Sequence, residues 1–157
     1  MEKLCFPPLL SPGFHDYDDA GLKELCVDQF ATSERRGLLY CNYIQFSSQI
    51  RSINAQFKCF SELWVDGSFT TGKPEPDDID LLVVVDFVAL NQLPEQFHGL
   101  VSSLLDRQYV KLNFNIDVLI LPENHPEIDY SERRSYWRGW FGFDRKENPK
   151  GLVRVML

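Results

Sequence analysis

Cysteine is thinly spread through the chain, at Cys5, Cys26, Cys41 and Cys59, with no CxxC and no Cys–His ligand spacing. That pattern offers neither a structural zinc site nor a redox pair, so reduced cysteines in a cytoplasmic protein are expected. Histidine is scarcer still. His15, His98 and His125 form no Ser–His or Cys–His constellation, which leaves a hydrolase triad unsupported. No apolar run approaches the roughly 18 residues that span a bilayer, and the amino-terminal stretch lacks the apolar core of a signal peptide, so no membrane partner is expected. Positive charge is also short: 16 Lys and Arg against 23 Asp and Glu leave a net charge of −7. A broad nucleic-acid surface needs clustered Lys and Arg, so long RNA or DNA is an unfavoured partner. A nucleotide chelated to a metal ion remains compatible, because the ion supplies the missing charge. Internal repeats and low-complexity tracts are lacking too.

What is present argues for one ordered domain over residues 1–157. Hydrophobic residues make up 44% and aromatics 13%, and a chain of this length buries about two-thirds of the surface its unfolded form exposes. Residues 1–17 hold three prolines and read as an extended arm without regular structure, able to cover a sheet edge. Asp18 or Asp19 caps a helix through Leu22, Leu25, Cys26 and Phe30. Ser33 starts a longer helix, with Leu38, Cys41, Ile44, Phe46, Ile50, Ile53 and Phe57 as its apolar stripe. On that helix Arg35, Arg36 and Arg51 read as solvated charges. Strands are expected at 60–65, 79–85 and along 114–121, with a helix from Pro94 to about Asp106 whose inner side carries Phe97, Leu100, Val101 and Leu104. A final helix from Ser131 towards Trp140 and a short strand at 151–156 complete an α/β (α+β) domain with a mixed sheet flanked by helices.

The segment Trp64–Phe87, WVDGSFTTGKPEPDDIDLLVVVDF, carries the chemistry. Asp78 and Asp80 enter a strongly apolar strand, and residues two apart on a strand share a face, so the two carboxylates project together while Asp77 points away. Alone, such a pair solvates a turn more often than it does chemistry. Gly67-Ser68 changes the weighting, because a small-residue turn after a strand exposes backbone N–H groups that cradle phosphate. Asp117 adds a third carboxylate in the middle of another apolar run, where an unpaired charge is costly and calls for a cation, a cationic side chain or water. Asp66 reads as a turn cap and Asp86 as a strand end.

Together, Gly67-Ser68, Gly72, Asp78-Ile79-Asp80 and Asp117 resemble the motif of the nucleotidyltransferase superfamily, which includes DNA polymerase beta and the minimal bacterial nucleotidyltransferases. The likeness covers roughly residues 60–121. Two departures are visible: nine residues separate Ser68 from Asp78, one fewer than in the minimal members, and Thr70 replaces a common alanine. The flanking phrases Phe6–Gly13, Val65–Phe69 and Tyr136–Gly142 are similar to a narrower group of short bacterial nucleotidyltransferase-like proteins associated with defence or toxin–antitoxin settings.

The resemblance implies a metal-dependent enzyme in which Asp78, Asp80 and Asp117 bind magnesium or manganese, with Asp117 also activating an acceptor hydroxyl. It implies phosphate contacts at Gly67 and Ser68, with Lys73, Arg134 and Arg138 as cationic candidates. The expected substrate is an NTP or dNTP, and the acceptor a protein or another nucleotide. The competing expectation is a silent nucleotide-binding or antitoxin-like module acting on a partner protein. Trp137, Trp140, Phe141 and Phe143 read as core in preference to base-stacking residues.

Overall fold

Five strands form one mixed sheet in the computed structural model, which describes residues 4–157. They are β1 (Gly13–Asp16), β2 (Phe60–Asp66), β3 (Ile79–Asp86), β4 (Ile116–Glu123) and β5 (Gly151–Met156), in the order β1-β5-β2-β3-β4. β2 pairs antiparallel with both β3 and β5, whereas β1 runs parallel to β5 and β4 parallel to β3. Parallel neighbours need a long crossover. Between β3 and β4 this consists of three short α-helices, α3 (Phe87–Asn91), α4 (His98–Leu104) and α5 (Arg107–Phe114), with a 3-10 turn at Glu95–Phe97 leading into α4.

Alternation along the strands divides the core into two layers. Leu63, Val65, Leu81, Val83 and Val118 face one way, into the main cluster with the long helix α2 (Glu34–Phe57). Trp64, Leu82, Val84 and Leu121 face the other way and meet Phe141 of α6 (Tyr130–Phe141). Because β3 is covered on both faces, its sequence is a continuous apolar run. α2 buries Leu39, Tyr43, Phe46, Ile50 and Ile53. Each such side chain contributes about 1.5–3 kcal/mol relative to exposure, so burial outweighs the ~1 kcal/mol of its Ser33 cap.

Several expectations need correction. The amino-terminal arm contributes regular structure, since β1 forms the sheet edge that it was expected only to cover. Further along the arm, Gly72 N–H donates to Pro7 O at 2.8 Å and Leu9 N–H to Thr70 O at 3.0 Å, tying it to the glycine-serine loop. The buried stripe of α2 is rotated from the expected one: Leu38 and Cys41 are exposed while Leu39 and Tyr43 are buried. Leu100 is likewise exposed on α4. The first helix, α1 (Asp19–Lys23), is capped by Asp18 as expected and continues as a π-helical stretch over Glu24–Asp28.

The largest correction concerns the arginines. Arg36 is fully buried, and all five of its guanidinium N–H groups reach main-chain carbonyls. Nη1 donates to Cys26 O at 2.8 Å and Phe69 O at 2.7 Å, Nη2 to Thr71 O and Lys73 O at 2.6 Å each, and Nε to Lys73 O at 3.2 Å. Its plane lies 3.7 Å from the Phe30 ring centroid. Arg35 extends the grip, donating to Pro76 O at 3.2 Å and Asp77 O at 2.6 Å. Arg51 pairs with Asp19. Removing the Arg36 fork strands several buried carbonyls, each a costly loss. Arg36→Met is therefore expected to destabilise by about 3–5 kcal/mol in chemical denaturation, with amide exchange in residues 67–78 rising more than in β3.

Candidate functional site

β2 ends at Asp66, and the chain then turns through a single 3-10 turn, Gly67–Thr70. Gly67 has φ +81, and a Cβ there would overlap the Asp80 Oδ2 atom, so no other residue fits without displacing the carboxylate. Thr71 N–H closes the turn on Ser68 O at 3.1 Å. The Ser68 hydroxyl has no hydrogen-bond partner among the described residues and remains open to a ligand.

Strand register sets the carboxylates in a line. Asp66 is the register partner of Asp80, and Asp80 that of Asp117. By strand alternation all three share the face of Trp64, Leu82 and Leu121. Asp78 stands just before β3. The expected trio of Asp78, Asp80 and Asp117 is thus brought together, and Asp66 joins it. Instead of simply capping its turn, Asp66 is 2% exposed, and its Oδ2 lies 3.0 Å from Lys150 Nζ. Asp77 points away, 84% exposed, as alternation required.

Burial and crowding alter two of these groups. Burial pushes Asp80 up to about 6, with the charges of Asp78 and Asp117 adding to the rise and Lys150 and Lys111 opposing it. Asp66 is pushed up to about 7, again chiefly by burial, although the Lys150 ammonium pulls it down. Two further cations come from α5: Arg107 makes a bidentate contact with Asp117, at 2.5 and 2.8 Å, and Lys111 pairs with Asp78. These residues are four apart, one helical turn. An open hollow of about 490 Å3 is lined by Arg107, Gln108, Lys111, Leu112 and Asp117. A larger one, about 610 Å3, lies at the other end of the strands between Arg51, Lys58, Phe60 and Met156 and touches none of the site residues.

As placed, no group of three or more His, Cys, Asp or Glu side chains among the described residues encloses a metal ion. The donor chemistry nevertheless fits one. The side chains of Lys111 and Arg107 are 48% and 65% exposed, free to withdraw into solvent, and would leave hard carboxylate oxygens of the kind magnesium and manganese take. Lys150, in contrast, is held against Asp66 with only 12% of its side chain exposed.

The other cationic candidates lie elsewhere. Lys73 pairs with Asp77 at 3.5 Å. Arg134 and Arg138 of α6 stand over Phe14 of β1, at 5.1 and 5.3 Å from its centroid, whereas the carboxylates occupy β2, β3 and β4. Sequence reasoning missed Arg107 and Lys111, although their spacing just before the Asp117 strand was a usable signal. It missed the pairing of Lys150 with Asp66 for lack of any local signal.

An α/β domain with a row of carboxylates at the ends of adjacent strands is the class these features define. Residues 5–156 match a single family, described as a family of unknown function, DUF6932, and the chain belongs to it. No curated protein and no solved structure matches the chain.

The two raised carboxyls fix a pH dependence. Both take up protons on folding between the ordinary value of 3.8 and about 6–7. Their contribution to stability is therefore fully present below about 4 and is lost as pH rises through 6–7. The metal-free protein is expected to melt at higher temperature at pH 5 than at pH 7.5. Asp80→Asn is expected to raise the pH 7.5 value by the equivalent of about 1–3 kcal/mol and to flatten the profile, as read by thermal denaturation.

Proposed function

We propose that this protein transfers a nucleoside monophosphate from an NTP or dNTP to a hydroxyl acceptor on a protein or another nucleotide. The observation that carries this reading is the register of Asp80 with Asp117, beside a Gly67 turn that has no room for a side chain at Asp80. Asp78, Asp80 and Asp117 would hold magnesium or manganese, which when bound supplies charge to the triphosphate and lowers the pKa of an attacking hydroxyl.

The remaining chemistry falls to the chain itself. The N–H groups of the Gly67–Thr70 turn and the Ser68 hydroxyl hold the β- and γ-phosphates. The acceptor oxygen attacks the α-phosphorus in line as the bond to pyrophosphate breaks, and the hydroxyl proton passes to the Asp117 carboxylate and on to solvent. Lys150 keeps Asp66 neutralised, so the row presents three carboxylates and not four. Purified protein incubated with magnesium or manganese and each labelled nucleotide should release pyrophosphate and yield a labelled product. Asp80→Ala should cut that rate by about a thousandfold. Absence of turnover with every nucleotide, with binding unchanged in Asp78→Ala, defeats the proposal.

A second reading, a silent regulatory module acting on a partner, is favoured by one observation: Arg107 and Lys111 already neutralise Asp117 and Asp78. The Arg107→Ala/Lys111→Ala variant separates the two. If the cations are displaceable, manganese binding tightens modestly and turnover persists or rises. If they are permanent structural partners, the variant loses thermal stability, and the unaltered protein binds no manganese in titration calorimetry.

A further inference from the structure

Charge is segregated along this chain to a degree the net value conceals. Residues 130–157 hold seven Lys and Arg against three Asp and Glu, while residues 1–129 hold nine against twenty. The basic segment begins with α6, and α6 turns one face outward. Its inward residues are Arg134, Trp137 and Phe141, and its outward ones include Arg133, Tyr136 and Trp140 at three- and four-residue spacing. Tyr136 is 57% exposed, Trp140 64%, and Phe143 just beyond the helix 45%. Gly139, next to Trp140 in the chain, adds no side chain to this face and has open space where a Cβ would stand. Trp137 packs edge-on against Tyr136, with ring centroids 5.0 Å apart.

A cluster of guanidinium groups borders this stripe. Arg134, Arg138 and Arg154 all gather on the Phe14 ring, at 5.1, 5.3 and 5.0 Å. Asp16 pairs with Arg154, and Glu62 also faces it, leaving Arg134 and Arg138 without a carboxylate in contact among the described residues. Arg145 and Lys146 follow in the exposed hairpin. At the carboxyl end of the helix, the Lys150 N–H donates to Gly142 O at 2.8 Å, while its ammonium rests on Asp66. The stripe therefore runs from the outer edge of the sheet towards the carboxylate row.

Exposed aromatic rings bordered by arginines suit single-stranded nucleic acid, whose bases can stack on Tyr136 and Trp140 while its phosphates meet the guanidinium groups. We propose that the outward face of α6, with Phe143 and the Phe14 arginine cluster, is a docking surface for single-stranded RNA or DNA. Stacking needs unpaired bases, so duplexes are poor ligands, and the acidic remainder of the surface confines the contact to a few nucleotides. The net charge argues only against broad coverage. This inference does not rest on nucleotidyl transfer and can stand or fall separately from it.

The test is fluorescence anisotropy of 5′-labelled single-stranded oligonucleotides of about ten residues, DNA and RNA, at low salt, with the matching duplexes alongside. Binding is expected to favour the single strands, to weaken as salt is raised, and to quench tryptophan fluorescence. Tyr136→Ala/Trp140→Ala should weaken it at least about tenfold, since each stacked base contributes a comparable factor. Arg133→Glu/Arg138→Glu should do the same and reduce the salt dependence. These side chains are exposed, and circular dichroism checks that the variants fold. Asp78→Ala/Asp80→Ala should bind unchanged, even if transfer is abolished or was never present. The proposal is overturned by no binding to any oligonucleotide, by unchanged affinity in the aromatic double variant, or by loss of binding in the carboxylate variant. Displacement of oligonucleotide by a poly-glutamate peptide at lower concentration would also overturn it, marking the surface as one for an acidic protein.

Discussion

The guanidinium of Arg36 sits where an irregular loop would otherwise bring unpaired carbonyls into the core. Residues 67–78 must leave β2, pass two prolines and return to β3, and much of their main chain points inward without a strand or helix to satisfy it. One side chain with five donors in a fixed plane resolves this, donating to main-chain carbonyls and to no carboxylate. A lysine has three donors on a flexible stem and cannot span the same acceptors. The clamp braces the Gly67 turn and the contact of the amino-terminal arm with Gly72, while Arg35 holds Pro76 and Asp77 at the entry to β3. The first turn of α2 thereby governs a loop more than thirty residues later in the chain.

The carboxylate row is costly for the fold. Four acidic groups at the ends of three strands repel one another, and two of them are largely dehydrated, so they hold protons well above the usual carboxylate range. Three cations oppose this, but they are not equivalent. Arg107 and Lys111 reach in from an exposed helix with most or about half of their side chains in solvent, whereas Lys150 is enclosed. That difference in exposure is where the two proposed readings part, since only an exposed counter-charge can give way to a metal ion.

Strong local signals made much of the architecture legible. β2, β3 and β5 were visible as apolar runs, Ser33 as a cap, and the parity of Asp78, Asp80 and Asp77 followed from strand alternation alone. α5 was missed because it is only eight residues long, half of them polar, and runs straight into the apolar Asp117 strand, although Asp106 caps it. Arg36 was misread because helix position cannot reveal that a loop from elsewhere closes over it. Asp66 was misread for a related reason: its place in the row depends on the β2–β3 register, and its partner lies more than eighty residues away. Exposure of Trp140 and Phe143 likewise depended on how α6 was rotated against β4 and β5, which composition does not encode.

The position of β5 within the sheet has a consequence for synthesis. It is made after β1 and β2 yet lies between them, so the two earlier strands have no common neighbour until residues 151–156 have left the ribosome. Up to that point Asp66 lacks its ammonium and β1 is an unpaired edge. Such late, non-local pairing slows folding and leaves a nascent intermediate open to other strands or to chaperones. In a chain assembled in this order Asp66 stays without its counter-charge until β5 pairs and brings Lys150 beside it.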